Sequence, residues 1–304
     1  MTQRPTIICA ADAKYYPLLT QAVQSVNDAG LRGRMALSVL DLGLEESQIE
    51  ALSPLVDAVA KAEWDFDFPG RDCFPAYFKA MTARPSLPRY FPGHDIYMWL
   101  DADAWVQDAG AVDIYLDAAA KGQLAVVPEI DRAYSSFYKR PRPYYRTQNF
   151  RAYRWAYGWR AADRLARNPI LNSGVFALSG DAPHWGMWQD ALKQALCRRA
   201  VFRDRRGLYA HVSEQTAMNY LVYAMQASAT FLPAYCNWFC GKGLPMWDAE
   251  RRLLVEPHAP HQPLGIVHLA GDGVQNRTFA MPTAAGETIE SRLTFDAVRA
   301  LAAA

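Results

Sequence analysis

Two carboxylates, Asp101 and Asp103, interrupt the otherwise apolar run Tyr97-Met-Trp-Leu-Asp-Ala-Asp-Ala-Trp-Val106. An apolar strand that ends in paired acids delivers them to the rim of a sheet. Ligands of open α/β sheets bind outside the carboxyl ends of the strands, so acids placed there are positioned for chemistry. Their mutual repulsion is relieved by a divalent cation. The plainer alternative is that the pair caps the strand and hydrogen-bonds a turn. A second apolar run, Leu264-Gly-Ile-Val-His268-Leu, ends in a histidine and a glycine-rich loop, Gly271-Asp272-Gly273. Its imidazole is either a third metal ligand or a satisfied strand-end side chain.

The elements that must hold these groups are legible from periodicity. Thr6-Ile-Ile-Cys-Ala10 predicts a strand that runs into Ala11-Asp12. Leu18, Leu19, Ala22, Val23 and Val26 recur at helical spacing up to Gly30, a helix stop. Further strands are expected at 35–40, 123–127 and 170–178, and helices at 76–81 and 112–120. Pro183 opens a helix whose Trp185, Trp188, Leu192 and Leu196 form an apolar, core-packing stripe. Ser213 is the expected N-cap of another helix, with Glu214 and Gln215 in its first turn. Alternating strands and helices predict an α/β fold with a mainly parallel sheet flanked by helices.

At 304 residues, 51% hydrophobic, the chain suits one large α/β domain. We expect a nucleotide-binding half over 1–130, an insertion over 131–169, a second half over 170–285 and a tail over 286–304. A net charge of +1 advertises neither nucleic acid nor membrane for the chain as a whole. Five scattered cysteines, an odd number, argue against a disulfide framework, and Cys236-x-x-x-Cys240 lacks a second ligand pair at zinc spacing. With no apolar leader after Met1, a reducing cytoplasm is the expected compartment, with peripheral contact at the inner membrane face compatible.

Between Tyr134 and Arg167 nine basic residues face one acid, Asp163, with Tyr144, Tyr145, Trp155 and Trp159 interleaved. Three readings compete: a wall for an anionic or sugar acceptor, a surface for nucleic acid or an acidic membrane, and an irregular insertion whose cations pair with acids elsewhere.

The ordered series Ala10-Ala11-Asp12, Asp101-Ala102-Asp103, Asn172-Ser-Gly174, Glu214-Gln215 and His268 resembles glycosyltransferase family 8, the retaining enzymes with a GT-A-type, Rossmann-like mixed sheet. The resemblance runs from about residue 6 to about residue 272. It implies that Ala10, Ala11 and Asp12 hold a uridine, that Lys79 faces the donor, and that Asp101, Ala102 and Asp103 bind metal and donor. It further implies that Asn172 lies beside the donor sugar, that Glu214 and Gln215 lie near its reacting face, that His268 is the third metal ligand, and that Gly271 belongs to the late loop. Two carboxylates, one imidazole and diphosphate oxygens suit Mn²⁺ or Mg²⁺, the imidazole tilting the choice to Mn²⁺. The implied function is metal-dependent, retaining transfer of a hexose from a nucleotide-diphosphate sugar, a UDP-sugar by resemblance, to a hydroxyl of a glycan or lipopolysaccharide. The chain departs from the family where the late loop's lysine is expected; Arg277 is the nearest replacement, and Glu214 stands for the commoner Asp. A nucleotide-sugar-binding module without turnover, and a nucleic-acid-binding protein acting through the basic segment, are the alternatives.

Overall fold

A computed structural model describes residues 4–134, 143–198, 208–271 and 273–304. The chain opens with β1 (Thr6–Ala11), α1 (Tyr16–Asp28), β2 (Ala36–Asp41), α2 (Glu46–Leu52) and β3 (Ala58–Lys61). Gly30 takes φ 70° just past α1, the left-handed turn that ends the helix where the sequence pattern stops. Short helices α3 (Lys79–Ala83) and α4 (Leu87–Tyr90) lead to β4 (Ile96–Leu100) and β5 (Ala104–Val106). Next come α5 (Ala109–Ala119), β6 (Leu124–Pro128), α6 (Gln148–Tyr157), α7 (Trp159–Leu165) and β7 (Leu171–Ser179). The later half holds α8 (His184–Leu196), α9 (Leu208–His211), α10 (Ser213–Tyr223), β8 (Ala229–Phe231) and β9 (Trp238–Phe239). It ends with β10 (Met246–Asp248), β11 (Leu253–Val255), β12 (Ile266–His268), β13 (Phe279–Pro282), β14 (Thr288–Ser291) and α11 (Phe295–Ala303).

The main sheet has seven strands in the order β3-β2-β1-β4-β7-β6-β8. Four of its six pairings are parallel; β7 runs antiparallel to both β4 and β6. Both faces are buried, because successive side chains of a strand point to opposite sides. Ile7, Cys9 and Ala11 of β1, with Met98 and Leu100 of β4, pack on one face. Ile8 and Ala10, with Tyr97 and Trp99, pack on the other. Strand order reverses between β1 and β4, so the loops leaving their carboxyl ends part and open a crevice. Asp12 follows the first of these strands and Asp101 follows the second.

A smaller sheet completes the site. In the order β5-β12-β9, it sets His268 opposite Ala104, and Leu269 N–H donates to the Asp103 carbonyl at 2.8 Å. That pairing carries a histidine 165 positions away in sequence to the Asp-x-Asp turn.

Three expectations change. Ser213 is not an N-cap: it lies inside α10, and its Oγ donates to the Ala210 carbonyl at 2.6 Å, leaving Val212 at the cap. The basic segment is not irregular where it is described, since α6 and α7 form a satellite core of Phe150, Tyr153, Ala162 and Leu165. Its aromatics also divide: Tyr134 and Trp155 are buried, while Tyr145 and Trp159 are exposed. Lys139, Arg140 and Arg142 lie outside the described residues. No helix among the described residues is long and apolar enough to cross a membrane.

Candidate active site

A cleft of about 390 Å³ opens at the strand-order reversal, walled by Ala10 and Ala11 of β1 and Asp12 just after it, Ala102 and Asp103 from the acidic turn, and Tyr15 and Tyr77 from the rim. It continues into a space of about 240 Å³ lined by Asn172, Ser173, Glu214, Gln215, His268 and Gly271. Asp101, Asp103, Arg84 and His211 border both. The residues singled out from sequence therefore converge on one crevice, with two exceptions. Lys79 begins α3 and lines neither space; Arg84, five residues on, lies at the centre. Arg277 sits exposed over the Phe279 ring, 5.1 Å from its centroid, and lines neither space; Lys14 is the further cation on the wall. Asp272 lies outside the described residues.

Asp101, Asp103 and His268 offer one ligand atom each within 4.8 Å of one another. The His268 Nε2 stands 3.3 Å from Asp103 Oδ1 and 3.9 Å from Asp101 Oδ2. A hard divalent cation with ligands at about 2.0–2.2 Å spaces neighbouring donors roughly 3 Å apart, so these three fit one coordination shell. The histidine is aimed by what lies behind it. Its Nδ1 is 2.9 Å from Asn237 Oδ1, and Asn237 Nδ2 donates to Asn172 Oδ1 at 3.3 Å. With the Asn237 oxygen accepting, the proton of neutral His268 belongs on Nδ1 and the Nε2 lone pair faces the carboxylates. Asn172 is fixed in turn: its oxygen accepts from Gly174 N–H at 2.8 Å, and its amide donates to Glu129 Oε1 at 2.9 Å. Lys242 pairs with that same glutamate. Asn172 is thus linked to His268 through Asn237 as well as bordering the smaller space.

The charges of the site shift Asp103 and His268 in opposite directions. Burial works against the Asp103 carboxylate, but His268, by charge and hydrogen bond, and Arg84 hold its pKa below the usual range. Burial also opposes a charge on His268, yet Asp103, then Asp101 and Glu129, raise it above the ordinary imidazole value. Arg84 is buried and double-partnered: one nitrogen pairs with Asp101, and the other reaches Glu214 Oε2 at 2.6 Å. Glu214 also accepts from Ser173 Oγ at 2.8 Å, while its second oxygen is buried without a partner. Burial outweighs Arg84 and raises the Glu214 carboxyl. Gln215 Oε1 accepts from the Ser173 N–H at 3.2 Å, so its carbonyl oxygen is already committed.

Sequence reasoning missed Arg84, and on the walls Lys14, Tyr15 and His211; it met Asn237 only as the end of Leu232-Pro-Ala-Tyr-Cys-Asn237, part of the family resemblance, without a role. The run Thr82-Ala-Arg84-Pro-Ser carries no motif, but an arginine ahead of a proline-broken segment leading to the acidic strand was the available signal. Asp12 is partly structural: its Oδ1 accepts from Tyr15 N–H at 3.0 Å, tying the turn before α1. The Cys236–Cys240 pair is buried and reduced, and burial raises both thiols, Cys236 to about 12, so neither is a reactive thiolate.

A mixed sheet with an Asp-x-Asp turn at its strand-order reversal, closed by a late histidine, is the GT-A-type fold of glycosyltransferases. Comparison with solved structures places the chain there. It is similar to the galactosyltransferase LgtC, solved with donor and acceptor sugar analogues, at TM-score 0.55 and 15% identity over 98% of this chain and 95% of that one. A Gln-to-Glu active-site mutant of LgtC matches at TM-score 0.51 and 16% identity, over 88% and 87%. The bifunctional glycosyltransferase WbbM, in its apo form, matches at TM-score 0.54 and 14% identity, over 90% of this chain but 46% of its own. No protein-family model and no curated protein matches the sequence. At these identities the likeness is one of fold.

Proposed function

We propose that the protein is a metal-dependent glycosyltransferase that moves a hexose from a UDP-sugar to a sugar hydroxyl with retention of configuration. The observation that carries the reading is the convergence of Asp101, Asp103 and His268, with the imidazole aimed by Asn237, where the two spaces of the crevice meet. Asp101, Asp103 and His268 would hold Mn²⁺ or Mg²⁺; when bound, the ion supplies Lewis-acid neutralisation of the departing diphosphate. The base and ribose belong in the larger space, between Asp12, Tyr15 and Tyr77, and Lys14 adds positive charge at its wall. The hexose belongs in the smaller space, whose wall includes Asn172, Glu214 and Gln215.

Beyond Gln215 and Val212, which line it too, lies a third pocket of about 270 Å³ with Glu129, Asn149, Thr216 and Lys242 on its walls. We assign it to the acceptor. Its one carboxylate and one ammonium pair with each other, which suits a neutral sugar and removes the reason to expect an anionic acceptor. An acceptor there meets the donor across Gln215. Because the Gln215 oxygen is held by Ser173, it is poorly placed to form a covalent intermediate, and attack from the face of the departing phosphate fits the geometry better. The test is Asp103→Asn and His268→Ala assayed with a UDP-hexose panel and Mn²⁺. Donor hydrolysis and transfer should fall together; unchanged turnover in either variant rules out the metal-dependent reading.

A further inference from the structure

We propose that the outer face of α6 and α7 docks on an anionic phospholipid bilayer. The chain carries a net charge of +1, yet this one face concentrates arginine. Arg151 and Arg154 stand one turn apart on the exposed edge of α6, and Arg160 and Arg164 one turn apart on the exposed edge of α7. Neither these four nor Arg146 has a carboxylate partner among the described residues. Trp159 sits among them, 60% exposed, with the Arg154 guanidinium 5.1 Å above its ring. One edge of that indole packs on Phe150, at 5.3 Å between centroids, so the ring is held outward by the satellite core.

The shape selects the occupant. All five arginines are exposed and none borders the crevice or the third pocket described above, so their side chains project outward from the helical surface. A single nucleic-acid strand needs a groove with bases stacked along it. A plane of phosphodiesters needs exposed guanidinium forks and an aromatic ring of interfacial character, which Trp159 and the arginines supply. The placement has a consequence for the neighbouring pocket. Gln148, Asn149 and Ala152 of the same α6 line the third pocket, while Arg151 and Arg154 face out beside them. A bilayer against α6 therefore lies beside that pocket.

Docking does not depend on the transferase reading, and its test contains no turnover. The full chain is sedimented with vesicles of phosphatidylglycerol in phosphatidylcholine and with vesicles of phosphatidylcholine alone. Binding to the anionic vesicles only, weakening steeply with added salt, is the expected result. Each arginine near such a surface contributes roughly fivefold in affinity, so Arg151→Gln with Arg164→Gln should weaken binding about 25-fold at an unchanged thermal midpoint. Trp159→Ser should weaken it further. Equal binding to both vesicle types, no binding to anionic vesicles, or full binding by the double variant overturns the proposal. So does displacement of the protein from anionic vesicles by a single-stranded RNA oligonucleotide at lower concentration than soluble phosphatidylglycerol headgroup.

Discussion

Gly174 is the position where one added carbon should disable the proposed metal site while leaving the fold. It lies on β7, and a Cβ built there would sit 2.4 Å from His268 Cε1, 2.6 Å from Asp101 Oδ2 and 2.8 Å from Asn172 Oδ1. Carbon contacts settle at about 3.5–4.0 Å, so in Gly174→Ala the imidazole must retreat by about 1 Å. It cannot retreat alone, because Asn237 holds its Nδ1 and the pairing of β12 with β5 holds its backbone. Metal sites tolerate ligand displacements of about 0.2 Å. Losing an outer partner of a ligand typically weakens metal binding about 10–100-fold, so moving two ligands should cost at least about 100-fold, or about 2.7 kcal/mol. Overpacking adds a stability loss of about 1–3 kcal/mol. The assay is Mn²⁺ titration followed by electron paramagnetic resonance, with circular dichroism to confirm folding. Gly186→Ala is the control: it lies exposed on α8, its new Cβ meets nothing within 4 Å, and helix propensity favours alanine by up to about 1 kcal/mol. A folded Gly174→Ala protein that binds Mn²⁺ within twofold of the parent would refute the reasoning.

Asn237→Ala should weaken Mn²⁺ binding about 10–100-fold, because the buried amide sets the tautomer and direction of His268 without itself being one of the proposed ligands; equal Mn²⁺ titrations would argue that the imidazole is oriented otherwise. Arg84→Met leaves Glu214 and Asp101 without their shared cation and should destabilise the fold by about 3–5 kcal/mol in urea denaturation. Adding Glu214→Gln should recover part of that loss, and strict additivity of the two changes would show that the pair is not coupled. Of the five thiols, exposed Cys73 and Cys197 should react with a disulfide reagent in the native protein, while buried Cys9, Cys236 and Cys240 react only on unfolding; three or more fast thiols would contradict the buried assignments.

How far the sequence could carry this description depends on the range of each interaction. The strand bearing Asp101 was legible because both of its faces are buried, which leaves an unbroken apolar run that stops at the acids. The helices α1, α5 and α8 were legible from apolar spacing, whereas α6 and α7 of the basic segment were not. The direction of β7 was not: antiparallel insertion between β4 and β6 is a property of the sheet's assembly, and the local pattern of a doubly buried strand is the same in either direction. Arg84 and Lys79 show the same limit at the site. Both are cations ahead of the acidic strand, five residues apart, and only the turn from α3 into Pro85 decides which one meets Asp101. His268 depends on a contact across more than a hundred and fifty residues, and the sequence alone left it open between a ligand and a satisfied strand-end side chain; the fold brings it within 3.3 Å of Asp103. What aims it was not readable, since Asn237 and Asn172 earn their roles only once β9 and β12 lie side by side. The acids could be read from the chain; the way the amides aim the histidine could be read only from the fold.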